Sequence, residues 1–145
     1  VTVFADTSAV VKRYAKEPGQ DLIRQIPILV VSQLARVEVS AALWGKERMG
    51  EISHREAAVL ESLFEREYHH LDDGPRVFSP VRVTPVVLEA GARLARKHRL
   101  RGFDSIQLAS AILAAETAPE ITEFAAWDKR LREAAAAEGF ALIPD

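Results

Sequence analysis

The sequence predicts an α/β domain built on a parallel sheet, and three observations carry that prediction. Short apolar runs of strand length alternate with helical patterns along the chain, as in a parallel sheet whose strands are joined by crossover helices. The runs Val1-Thr2-Val3-Phe4-Ala5 and Ile28-Leu29-Val30-Val31 are apolar almost throughout, as strands covered on both faces are. Both stop abruptly at polar residues, the first at Asp6-Thr7-Ser8 and the second at Ser32. Ligands bind outside the carboxyl ends of the strands in such sheets, so these polar stops stand where chemistry is expected.

The elements follow in order. After the strand over 1–5, residues 9–15 read as a short helix, which Glu17-Pro18-Gly19 breaks, and 20–25 as a second one ending before Pro27. Residues 28–31 form the next strand, with Ser32 as N-cap of a helix over 33–48. Leu34, Val37, Ala41, Trp44 and Gly45 recur at three-and-four spacing and predict its core-facing stripe. Glu38 lies within that stripe, and a buried carboxylate requires a cation, a hydrogen-bond network or a metal; an ion pair to an arginine is the plain alternative. Ser53-His54-Arg55-Glu56 is a capping box opening a charged helix to about residue 70, solvated or partner-facing, which Asp72-Asp73-Gly74-Pro75 ends.

Residues 77–83 give a short strand interrupted by Pro80, suited to the sheet's rim. Thr84-Pro85 is an N-cap followed by proline at the first helical position, opening a helix over 86–98. That helix ends in the basic run Arg96-Lys97-His98-Arg99-Leu100-Arg101, either dipole capping or a phosphate-binding patch. Gly102-Phe103-Asp104-Ser105 leads into a helix over 106–116, apolar on nearly every side and so buried. Asp104 with Gln107 three residues on has the form of a capping box. A further strand within 120–127 is closed by Asp128, then come an alanine-rich helix over 129–138, a stop at Gly139 and a last strand over 140–143.

Composition narrows the function classes. The chain has 145 residues and is 48% hydrophobic, which suits one domain spanning 1–145 with a real core. A net charge of −2 lacks the basic bias of many nucleic-acid binders, so a polyanion must be met by a local patch or a metal. No cysteine is present, which excludes a disulfide scaffold and cysteine-based zinc sites. No run approaches the roughly 20 apolar residues of a membrane span, and a soluble cytoplasmic domain without membrane association is expected.

Four carboxylates stand out: Asp6, Glu38, Asp104 and Asp128. Asp6 and Asp128 end predicted parallel strands at one edge of the sheet, Glu38 follows the second strand by about two turns, and Asp104 opens a buried helix. Like charges brought together resist ionising, and a divalent cation removes the conflict. Oxygen ligands without cysteine or histidine point to Mg²⁺ or Mn²⁺, with one or two carboxylates direct and the rest through water.

Phe4-Ala5-Asp6-Thr7-Ser8-Ala9, Ser32-Gln33-Leu34-Ala35-Arg36-Val37-Glu38, Leu100-Arg101-Gly102-Phe103-Asp104-Ser105-Ile106-Gln107-Leu108-Ala109 and Trp127-Asp128-Lys129-Arg130-Leu131 resemble, in order, the four acidic motifs of PIN domains. The likeness is greatest to VapC-type toxins of bacterial toxin–antitoxin pairs. It implies a three-layer α/β/α sandwich and a metal-dependent endoribonuclease acting on single-stranded or loop RNA, with an antitoxin partner and, commonly, a homodimer. Asp6 and Asp104 would be the principal Mg²⁺ ligands, with Glu38 and Asp128 completing the pocket. Thr7 or Ser8 would orient a carboxylate or a water, and the helix-capping role falls to one of them rather than to Asp6. Metal-activated water would attack the phosphodiester, leaving a 5′-phosphate and a 3′-hydroxyl. Arg99, Arg101, Lys129 and Arg130 are the candidate phosphate contacts. For the antitoxin, exposed apolar groups are expected around Leu43, Trp44 and the following charged helix. One departure is Ala126, where many relatives carry threonine or serine.

Other chemistries fit less well. An aspartic protease needs a second Asp-Thr triplet or a dimer on an all-β frame. A haloacid-dehalogenase phosphatase needs an aspartate where Ser8 stands, and a dinucleotide site needs a glycine-rich turn after the first strand. The remaining alternative is a PIN-like domain that binds RNA or protein without cutting.

Overall fold

The computed structural model describes residues 2–145; Val1, the expected first strand residue, lies outside them. In chain order the elements are β1 (Thr2–Ala5), α1 (Thr7–Tyr14), α2 (Gln20–Arg24), β2 (Leu29–Ser32), α3 (Ala35–Arg48), α4 (His54–Tyr68), β3 (Phe78–Val81), α5 (Pro85–His98), α6 (Gly102–Thr117), β4 (Ile121–Ala125), α7 (Lys129–Ala137) and β5 (Ala141–Ile143). Among the described residues the strands form one sheet in the order β3-β2-β1-β4-β5, and every pairing is parallel.

Alternation along each strand divides the core in two. Val3, Ala5, Leu29 and Val31 face one side, where they join Tyr14, Val39, Leu43 and Phe64 from α1, α3 and α4. Phe4, Val30 and Phe124 face the other, with Val87, Leu94, Leu108 and Leu131 from α5, α6 and α7. Phe4 and Phe124 stack across β1 and β4 with centroids 5.3 Å apart, and truncating either to alanine is expected to cost about 3–5 kcal/mol. The result is the expected α/β/α sandwich. Helices before β3 cover one face and helices after it the other, so the crossovers diverge on either side of β1 and β4. That divergence opens a crevice beyond the carboxyl ends of these two strands.

Most local signals hold. Ser53 and Glu56 form the capping box of α4, Thr84 caps α5 with Pro85 behind it, and β3, carrying Pro80, is an edge strand. Two readings of α3 are corrected. The helix begins at Ala35 rather than Gln33, because Ser32 still belongs to β2; its hydroxyl accepts from the Leu34 N–H without capping the helix. Its core face is Ala35, Val39 and Leu43, not the predicted stripe, and Val37 is 69% exposed. Leu43 is fully buried and is therefore not among the exposed groups expected for a partner, while the half-buried Trp44 ring lies against His54. No described helix is long and apolar enough to cross a membrane.

Candidate active site

Asp6 leaves β1 with its N–H still bonded to the carbonyl of Ala125 on β4 (3.1 Å), so its backbone belongs to the sheet. Its side chain turns to the start of α1, where Oδ1 accepts from the Ala9 N–H (2.9 Å) and from the Ser8 hydroxyl (2.7 Å). Asp6 is therefore itself the N-cap of α1, which corrects the assignment of that role to Thr7 or Ser8. The reason is geometric: Thr7 and Ser8 already lie inside the helix, so their hydroxyls are free for other acceptors. Ser8 also accepts from the Trp127 N–H at 3.4 Å, tying α1 to the segment that leads to Asp128.

Glu38 lies in the first turn of α3 and is half-buried at the cleft rather than enclosed in the helix's core face. Its Oε1 accepts from Thr7 (2.8 Å) and from the Gln107 amide (2.9 Å), and no arginine or lysine pairs with it among the described residues. A hydrogen-bond network thus holds this carboxylate, and the ion-pair alternative is excluded. Asp104 is in the first turn of α6, whose N-cap is Arg101 without a side-chain cap, so the expected Asp104–Gln107 capping box does not form. The helix starts three residues earlier than a cap at Asp104 would require, which frees both side chains for the cleft. Arg101 reaches Asp104 Oδ2 at 3.5 Å. Asp128 is exposed and caps α7 through Oδ1, which accepts from the Leu131 N–H at 2.9 Å.

Asp6, Glu38, Asp104 and Asp128 line one cavity of 390 Å³ together with Thr7 and Gln107. Each carboxylate is anchored through one oxygen. Among the described residues no protein donor reaches Asp6 Oδ2, Glu38 Oε2, Asp104 Oδ1 or Asp128 Oδ2. Burial pushes the Asp6 carboxyl up to about 6, against the pull of Ala9 and Ser8 and with help from the charges of Asp104 and Glu38. Asp104 is also raised, first by burial and further by Asp128, while Arg101 opposes the shift. Asp6, Glu17, Glu38, Asp104 and Asp128 outnumber Lys12, Lys46 and Arg101 in the cavity wall, a net negative lining that favours a bound cation.

No protein-family model matches the chain. Two curated relatives from Mycobacterium tuberculosis, ribonuclease VapC45 and ribonuclease VapC49, are each 33% identical to it over 98% of this chain and 94% of their own length. The chain belongs to the VapC family of PIN-domain ribonucleases. Solved structures agree on the fold. PAE2754 from Pyrobaculum aerophilum superposes with a TM-score of 0.62 at 21% identity, covering 99% of this chain and 85% of that one. Mycobacterium tuberculosis VapC20, described as a sarcin-ricin loop cleaving toxin, gives 0.61 at 17% identity over 97% of each chain.

In this VapC-family chain the candidate phosphate contacts fall into two groups. Arg101, Lys129 and Arg130 line a 620 Å³ cleft with Asp104 and Asp128. Arg99 does not line it; left-handed at φ 56°, it ends α5, and its carbonyl accepts from Arg130 Nη1 at 3.2 Å. Lys97 and His98 are spent on Glu138, the C-cap of α7 (2.7 and 2.8 Å), so that part of the basic run serves structure. At Ala126 the chain offers only backbone groups, its N–H to Ile143 and its carbonyl to Arg132.

Four polar cavity residues, Lys12, Glu17, Lys46 and Gln107, have no site role assigned from the sequence. Gln107 joins Thr7 and Glu38, and its place one turn beyond Asp104 was the available signal. Lys12 and Lys46 both bind Glu17, a fifth carboxylate in the cavity wall, at 3.0 and 2.7 Å. Lys12 also lies over the Trp127 ring, 4.6 Å from its centroid.

Proposed function

We propose that this chain is the endoribonuclease toxin of a toxin–antitoxin pair, cutting single-stranded or loop RNA with Mg²⁺ or Mn²⁺. The observation that carries the reading is the meeting in one cavity of Asp6, Glu38, Asp104 and Asp128, each of these four anchored by one oxygen and open at the other. The cavity's anionic groups are hard carboxylate oxygens, and neither cysteine nor histidine lines it, which fits a hard divalent cation. No three of these groups lie close enough to enclose an ion among the described residues. This favours a cation held by one or two carboxylates and by water, as Mg²⁺ commonly is. Asp6 and Asp104 are the principal holders in this reading, and Glu38 and Asp128 act through water.

When bound, the cation supplies neutralising charge and acidifies the water that attacks the phosphodiester. The protein supplies the rest. Ser8 and the Ala9 N–H fix Asp6, Thr7 and Gln107 fix Glu38, and the Leu131 N–H fixes Asp128. Arg101, Lys129 and Arg130 offer the cations for RNA phosphates on the flank of the cavity. Inhibition by an antitoxin and a homodimeric state belong to the same proposal, supported by membership of the VapC family. The test is cleavage of total cellular RNA by the purified chain, with Mg²⁺, with Mn²⁺ and with EDTA. Cleavage confined to the metal-supplemented reactions and absent in Asp104→Asn supports the reading, and metal-independent cleavage or none overturns it. Co-purification from the native operon and light scattering test the partner and the dimer.

A further inference from the structure

Phe103 has no evident structural task. Of the six phenylalanines, Phe4, Phe64, Phe78, Phe124 and Phe140 are buried, whereas Phe103 is 62% exposed and is the one aromatic among the exposed large hydrophobic residues. It immediately precedes Asp104 in the first turn of α6 and lines a 410 Å³ cleft with Glu38, Arg101, Gly102 and Asp104. That cleft, the carboxylate cavity and the basic cleft all share Arg101 and Asp104 in their walls. The three compartments therefore adjoin at Arg101 and Asp104, with Phe103 in the wall of one and Lys129 and Arg130 in the wall of another.

We propose that Phe103 is a stacking platform for a nucleobase of the RNA beside the scissile phosphate, while Lys129 and Arg130 hold phosphates on the opposite side of the cut. The inference rests on the endoribonuclease reading and adds how the strand is seated. Single-stranded nucleic acid is held by aromatic faces for bases and cations for the backbone, and both features flank the acidic cavity. A protein partner fits this ring less well. Interface cores are depleted of charge, and an apolar side chain seated here would strip water from Glu38 and Asp104. A stacked base offers its own polar edge to those groups. Arg101, with an 82% exposed side chain, is available to the adjoining phosphate or base.

The test uses the full chain and a single-stranded RNA with one mapped cleavage position. Phe103→Ala is expected to raise KM roughly ten- to a hundredfold with kcat retained; Phe103→Trp restores KM and Phe103→Leu does not. An abasic residue at one flanking position should cost the wild type the same factor and cost Phe103→Ala nothing further. Without metal, 2-aminopurine at that position should be quenched by the wild type and by Phe103→Trp but not by Phe103→Ala. An unchanged KM in Phe103→Ala, equal rescue by leucine, or an abasic penalty that adds to the substitution overturns the inference. Loss of self-association or antitoxin binding with KM preserved also overturns it, by assigning Phe103 to a protein interface. Phe103-dependent quenching by a chain that cleaves no RNA would retain the platform while refuting the nuclease reading.

Discussion

The Gln107 side-chain amide donates to Glu38 Oε1 at 2.9 Å while standing 3.1 Å from Thr7 Oγ1, so one group on α6 clamps a carboxylate of α3 against a hydroxyl of α1. Thr7 closes the triangle by donating to the same Glu38 oxygen at 2.8 Å. Glu38 needs no counter-cation from the protein because dipoles on two helices fix one of its oxygens. Its other oxygen is left to whatever enters the cavity. Gln107 also carries a buried amide oxygen with no partner among the described residues, and such a group weighs against stability. The amide is thus better explained by the site it positions than by packing.

Gln107→Leu separates those two effects. It removes the clamp and the orphan oxygen together while keeping the side chain's bulk. Cleavage in single turnover is expected to fall about 10- to 100-fold, the usual penalty for losing a group that orients a metal-site residue. Thermal stability should hold or rise, since a buried unsatisfied oxygen is removed. A large drop in Tm with little change in cleavage would show instead that Gln107 serves the core.

Asp6 has two roles that one substitution divides. Asparagine caps helices about as well as aspartate, so Asp6→Asn retains the bond to the Ala9 N–H while discarding the charge. Asp6→Asn and Asp104→Asn are each expected to abolish RNA cleavage with circular dichroism and oligomeric state unchanged. Asp128→Asn should also keep its cap on α7. Because Asp128 is exposed, its loss is expected to reduce rather than abolish the rate. Metal-dependent cleavage at the wild-type rate by the Asp6 or Asp104 variant would refute the assignment.

The Asp6 carboxyl, raised from 3.8 to about 6 by burial, also makes the metal-free protein pH-sensitive. The folded state holds this proton more tightly than the unfolded chain does. Its contribution to stability is therefore full below about pH 4 and lost as pH rises through about 6. The loss amounts to on the order of 2–3 kcal/mol. Urea unfolding in EDTA across this window should show the decline in the wild type relative to Asp6→Asn. Adding Mg²⁺ at pH 7 should recover stability in the wild type alone, because a cation favours the ionised form.

What the sequence disclosed follows from how local each signal is. The strands and the Ser53 and Thr84 caps depend on neighbouring residues, and they were legible. So was the Pro80 edge strand, since a missing N–H limits a strand wherever it lies. The face of α3 is not legible from periodicity, because Leu34, Val37 and Ala41 match it as well as Ala35, Val39 and Leu43 do; only contact with α1 and α4 chooses between them. The four carboxylates that stand out in the sequence meet in one cavity. The hydrogen bonds that hold them were not legible, because Gln107 is 100 residues from Thr7 and 69 from Glu38. The ligand and cap roles of Asp6 are not exclusive, because one of its oxygens caps α1 while the other stays open.

Gly19 sets the last prediction, because it joins the α1–α2 turn to Asp128 through Trp127. It is left-handed at φ +99°, and a Cβ placed on it would lie 2.6 Å from Cζ2 of the Trp127 ring. The ring is held from the same quarter by Lys12 Nζ, 4.6 Å from its centroid, and Trp127 is the residue before Asp128. Gly19→Ala therefore meets two penalties, a strained backbone on the order of 1–3 kcal/mol and a clash that the indole must relieve by moving. Displacement of the indole shifts the segment from Ala126 to Asp128, loosening the Ser8 contact with the Trp127 N–H. Gly19→Ala is expected to lower Tm and to cut cleavage beyond what the stability loss explains, measured well below the melting temperature. Lys12→Met keeps the stem over the ring while removing the cation, so it should retain Trp127 fluorescence and most of the Tm where Gly19→Ala alters both. A Gly19→Ala protein with wild-type Trp127 emission and full cleavage would show that the turn and the active site are not coupled.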